Sequence, residues 1–131
     1  MNILYLTACG LSAVMQLFLT YTLLSDPQGM IGGFGLPTDS TVGFVARRAG
    51  VMFLGLAVLS IAAMFLQQNR GLAAFALSVP WLALAVLGSF EHLRGFVGGE
   101  IYPAIAIEAT LGLLLLATWI LLRSPAPQQV A

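Results

Sequence analysis

Four long apolar runs, separated by short polar or Gly-rich interruptions, dominate the pattern of this chain. The first covers 2–24 without a charge and stops at Ser25-Asp26-Pro27. The second covers 41–66 and stops at Gln67-Gln68-Asn69-Arg70, the third covers 71–93, and the fourth covers 101–122, closed by Arg123-Ser124-Pro125. A hydrocarbon core about 30 Å thick needs roughly 20 apolar residues in helical form, and each run has that length. The predicted fold is all-α, an integral membrane four-helix antiparallel bundle forming one domain over 1–124, with a short disordered tail over 125–131.

The interruptions differ in kind. Between the second and third runs the turn is only a few residues, which implies that those helices are antiparallel neighbours. Arg94 to Glu100 forms a second short, Gly-containing turn. The longest interruption, 26–40, places Met30, Ile31, Phe34 and Leu36 among Pro27, Gly29, Gly32, Gly33, Gly35 and Pro37. Such a segment is expected to be re-entrant or to lie on the membrane surface rather than extend into water. Thr38-Asp39-Ser40-Thr41 then offers N-cap residues to the second helix.

Composition strengthens the membrane reading and removes several functions. Of 131 residues, 60% are hydrophobic and 8% charged, against about 25% charged in soluble domains. Five arginines balance five acids and no lysine is present, so nothing points to nucleic acid. The single cysteine, Cys9, excludes an internal disulfide and a thiolate metal cluster. Leu6-Thr7-Ala8-Cys9 resembles a lipoprotein cleavage box, but no basic region or adequate apolar stretch precedes it. Cys9 reads as a small apolar residue within the first helix, which is expected to act as its own insertion signal. Both termini share a side with Arg70 and Arg123, where no acid accompanies them; with Arg47 and Arg48 counted inside the second span, the positive-inside rule places both termini in the cytoplasm, and with them counted as loop charges the balance nearly cancels. The expected partner is the lipid bilayer, with no cofactor.

The charges within the runs carry the chemistry. Arg47 and Arg48 lie about 9–10 Å into the second helix, and Glu108 about 10 Å into the fourth, at 1.5 Å per residue. Glu91 and His92 close the third helix on the same side, so five ionisable groups gather in one half of the membrane. Each costs roughly 2.5–3.5 kcal/mol at bilayer depth on insertion scales. Pairing Arg47 or Arg48 with Glu91 or Glu108 would offset most of that, and a guanidinium grips a carboxylate through two hydrogen bonds. Gly43, Ala46, Gly50 and Ala57 form a small-residue stripe with Arg47 along it, while Arg48 sits about 100° around and snorkels. Leu84, Gly88 and Glu91 share a face of the third helix; Ile101, Ala104, Glu108 and Gly112 share one of the fourth. Trp81, Gly50, Gly88 and Tyr102 are further pocket-lining positions. Trp119 and Tyr21 fit interfacial anchors, as does Tyr102. One histidine supplies neither a bis-histidine haem site nor a plausible zinc site, so no metal is expected.

The run Gly35-Leu36-Pro37-Thr38-Asp39, followed by Ala46-Arg47-Arg48-Ala49-Gly50 and Phe53-Leu54-Gly55-Leu56-Ala57, resembles a family of short four-span bacterial inner-membrane proteins catalogued only as a domain of unknown function. The likeness implies a bacterial inner-membrane location and a four-helix bundle, and brings no activity or catalytic residue. From the residues themselves the leading expectation is binding of a small amphipathic or lipid-like molecule by Arg47 and Glu108, beneath a cover formed by 26–40. Two alternatives stand beside it. One is an accessory or assembly subunit of a larger membrane complex, or a homo-oligomer, whose charge pairs fix helix register. The other is a membrane enzyme using Glu91, His92 and Glu108 in acid–base chemistry.

Overall fold

A computed structural model describes residues 3–123; the tail expected over 125–131 lies outside them. Helix α1 spans Ile3–Ser25, α2 Pro27–Gly32, α3 Ser40–Met64, α4 Arg70–Leu93 and α5 Tyr102–Arg123, with one 3₁₀ turn at Gly99–Ile101. Among the described residues, four helices are long and apolar enough to cross a membrane. Large apolar side chains cover the outside of the bundle: Ile3, Met52, Leu72, Val86 and Leu93 are each more than half exposed. Water would not tolerate that surface, and lipid does. The chain is a multi-pass membrane bundle.

Inside lipid every backbone polar group must find an internal partner, and the helix ends follow that demand. Helix α1 stops where Pro27 removes a donor. Asp26 bridges the break: its N–H reaches Thr22 O at 3.0 Å, and its Oδ1 accepts from Gly29 N at 2.9 Å. With Pro27 at its first position and Asp26 as cap, the Gly-rich segment forms a turn and a half of helix. Its glycines and prolines read as loop in the sequence, so α2 is a finding of the structure. Asp39 caps α3 through Val42 N at 2.8 Å. The α3–α4 turn closes on Asn69 in the left-handed region (φ 60°), a conformation that asparagine adopts more readily than most residues. Serine and threonine hydroxyls within the helices bond back to carbonyls one turn earlier, as Thr20, Ser25, Ser89, Thr110 and Thr118 do.

The bundle is built as two hairpins. Helix α1 packs intimately on α3, and α4 on α5, while α3 and α4, although joined by a short turn, touch only sparsely. Those two helices are antiparallel neighbours as the short turn implies, but the small residues that permit close approach face elsewhere. Gly50 lies under Leu23 and Leu24 of α1, 3.1 Å and 3.3 Å from where its Cβ would sit; Gly88 lies under Ile105 of α5 at 3.1 Å. Gly112 meets Leu82 of α4 closer still, at 2.7 Å. Close backbone approach at such positions is what holds membrane helices together, since lipid offers no hydrophobic drive. Shallow apolar grooves remain along both seams between the hairpins, α3–α4 and α1–α5.

Candidate functional site

Where the hairpins diverge, at the end bearing α2, they leave an open-sided cavity of about 480 Å³. Leu19 and Leu23 of α1, Ala46, Ala49 and Phe53 of α3, and Leu84 of α4 form its walls. Met30 and Ile31 of α2, with Phe34 just beyond it, cover one side, and Thr41, Val42 and Val45 in the first turns of α3 frame the opening. Helix α5 contributes Ala104 and Glu108, one turn apart on one face. The size is that of ordinary small-molecule sites. Its polar side chains are two, the Thr41 hydroxyl near the mouth and the Glu108 carboxylate.

Glu108 is half-buried, and among the described residues no group hydrogen-bonds or ion-pairs with its carboxylate. Six residues past Tyr102, it lies about 9 Å into α5. A carboxylate at such depth without a partner is costly.

The other ionisable residues of the expected cluster share this end of the bundle but not the cavity. Among the described residues no arginine is ion-paired to a carboxylate. Gly43, Ala46 and Gly50 do face inward, yet Arg47 falls at the edge of that stripe, where α1 and α2 close over it. Its side chain is exposed and turns back over Gly43, 3.7 Å from the position of a Gly43 Cβ, with Gln28 of α2 at 3.9 Å from the same point. Arg48 is exposed and lies over the Phe44 ring, 5.4 Å from its centroid. Glu91 stands on the Leu84 face of α4 but seven residues, or about 10 Å, nearer the helix end, above the cavity wall. His92 is fully engaged. A backbone carbonyl can only accept, so Nδ1–H donates to Val97 O at 3.0 Å, leaving Nε2 to accept from the Tyr102 hydroxyl at 2.6 Å. The two rings meet edge-on, centroids 4.7 Å apart. This pair pins the α4–α5 turn.

The remaining lining positions also lie elsewhere. Gly50 and Gly88 are consumed by helix contacts, Tyr102 by His92, and Trp81 by a polar chain at mid-bundle. Trp81 Nε1–H donates to Ser12 Oγ at 2.7 Å, Ser12 and Ser60 hydroxyls meet at 3.4 Å, and Ser60 donates to Gln16 Oε1 at 2.9 Å. All four are essentially inaccessible. The protons run one way, from indole to amide oxygen, and the chain ends with Gln16 Nε2 buried and unpaired. Tyr5 adds a bond to Ala63 O at 2.6 Å. The half of the bundle that reads in sequence as plain apolar packing thus borders a buried polar seam. Its signal was one amide, Gln16, in an otherwise apolar first helix; serines and a tryptophan raise no flag individually.

Chemically, the loop-end cavity offers a mostly apolar lining with one ionisable group, Glu108, and one hydroxyl, Thr41. Among the described residues no cluster of histidine, cysteine and acidic side chains suited to a metal occurs. No family model, curated protein or solved structure matches the chain.

Proposed function

We propose that this protein binds a small amphipathic molecule in the cavity between its two hairpins. The observation that carries the reading is Glu108: one unpartnered carboxylate on a wall whose other side chains, Thr41 apart, are apolar, under a cover made by α2 and Phe34. Pockets of that build, mostly apolar with few polar groups, are how bundles hold ligands. Ionisable residues within spans serve function by default. The geometry modifies the sequence expectation in one respect, since Arg47 does not share the cavity and the polar end of the ligand rests on Glu108 alone.

The test is mass spectrometry of small molecules retained by the purified protein, compared with Ala104→Phe, which fills the cavity beside Glu108. A species present in the native protein and lost in the variant supports the reading; identical retained material in both overturns it. Location belongs to the same proposal: a bacterial inner membrane with both termini cytoplasmic, supported by Arg70 and Arg123 at the end that carries no acidic residue. A reporter fused after Ala131 should read as cytoplasmic.

A further inference from the structure

The cavity specifies more than amphipathic character. When ionised, Glu108 offers acceptors only, and no residue of the wall around it hydrogen-bonds to its carboxylate. The arginines that would welcome an anionic head group, Arg47 and Arg48, do not line the cavity: Arg47 lies over Gly43 and Arg48 over the Phe44 ring. A carboxylate or phosphate ligand would therefore meet Glu108 with like charge in an apolar enclosure, where repulsion is strong. A neutral alcohol would leave the Glu108 charge buried and uncompensated. A cation answers both problems, and two aromatic rings, Phe34 and Phe53, are among the lining residues.

We propose that the site takes a cationic amphiphile, its amine or ammonium group against Glu108 and its apolar body between α1, α3 and α4. This rests on the cavity reading above and names its ligand class. The ammonium could come from a free amphipathic amine or from an aminophospholipid of the surrounding leaflet.

The experiment uses the full chain in phosphatidylglycerol nanodiscs, with empty discs subtracted. Three radiolabelled probes of one chain length are compared: decyltrimethylammonium, decanol and decanoate. Decyltrimethylammonium is expected to bind saturably and tightest of the three, with affinity falling about tenfold or more in Glu108→Gln. Glu108→Asp, which keeps the charge, should retain part of the binding and guards against misfolding of the glutamine variant. The proposal is overturned if Glu108→Gln holds the ammonium as well as the native chain, or if decanoate binds as tightly as the cation. If decanol or decanoate binds best and Ala104→Phe abolishes it, the cavity stands and the cation falls. If Ala104→Phe changes the binding of none of the three, the cavity reading itself fails. Adding phosphatidylethanolamine separates the sources: competition identifies the lipid ammonium as occupant, and unchanged binding identifies a free amphiphile.

Discussion

Gly112 and Gly55 show how differently two glycines of one bundle are constrained. A Cβ on Gly112 would stand 2.7 Å from Leu82 side-chain carbons and 3.1 Å from its backbone nitrogen, whereas one on Gly55 meets nothing within 4 Å. Gly112→Ala should therefore destabilise the fold by about 1–3 kcal/mol through overpacking. Gly55→Ala should leave stability unchanged or raise it by up to about 1 kcal/mol through helix propensity. Thermal unfolding in detergent measures both. The buried polar chain makes a second prediction: Trp81→Phe should cost about 1–2 kcal/mol, of which the hydrogen bond is the smaller part in a membrane bundle. Adding Ser12→Ala should cost less than its own single effect, because the bond is already gone. At this scale the sequence was legible for depth and not for direction. Span arithmetic brought Glu108 to the level of the cavity, but Arg47 lies within a few tens of degrees of the packing stripe. That small angle, together with where α2 lands, decides whether its side chain enters or leaves the bundle.

Among the elements, the four long helices follow from hydropathy, because no other backbone conformation spans lipid without leaving polar groups bare. Helix α2 does not, since its Gly-Met-Ile-Gly core carries little propensity and owes its form to the Asp26 cap and Pro27. Asp26→Ala should consequently loosen α2 far more than Asp39→Ala disturbs α3, which has 25 residues of its own to hold it. Loss of an aspartate cap costs about 1 kcal/mol, a large share of what a turn and a half of helix possesses. Hydrogen exchange at 28–34 should accelerate in Asp26→Ala, while exchange in the middle of α3 stays unchanged in Asp39→Ala. Because Met30 and Ile31 form the cover, Asp26→Ala should also weaken retention of any cavity ligand.

For the molecule as a whole, the pairing of hairpins matters more than the count of helices. Tight contacts run within each hairpin and sparse ones between them, so volume added along the seam should be tolerated where volume added within a hairpin is not. Ala83→Leu, in the groove between α3 and α4, should shift stability by no more than about 0.5 kcal/mol; Gly50→Leu, beneath Leu23 and Leu24, should prevent a native melting transition. Both are read by the same detergent melt. The hairpin partition was hidden in sequence because a short turn constrains direction and distance at one end only. Which small-residue face meets which partner is a property of all four helices together.

The division into hairpins has a consequence for biogenesis. Ser12, Gln16 and Ser60 all belong to the first hairpin, so three of the four linked side chains at mid-bundle have one another as partners within the part of the chain made first. At about 5–20 residues per second, the stretch from Arg70 to Arg123 takes roughly 3–11 s to synthesise. The Ser12 and Ser60 hydroxyls and the Gln16 amide oxygen have partners within the first hairpin, Gln16 Nε2 has none, and the Trp81 indole can join only once α4 is made. A first hairpin paired as in the finished fold would therefore not expose that amide oxygen to lipid alone while the second is being made.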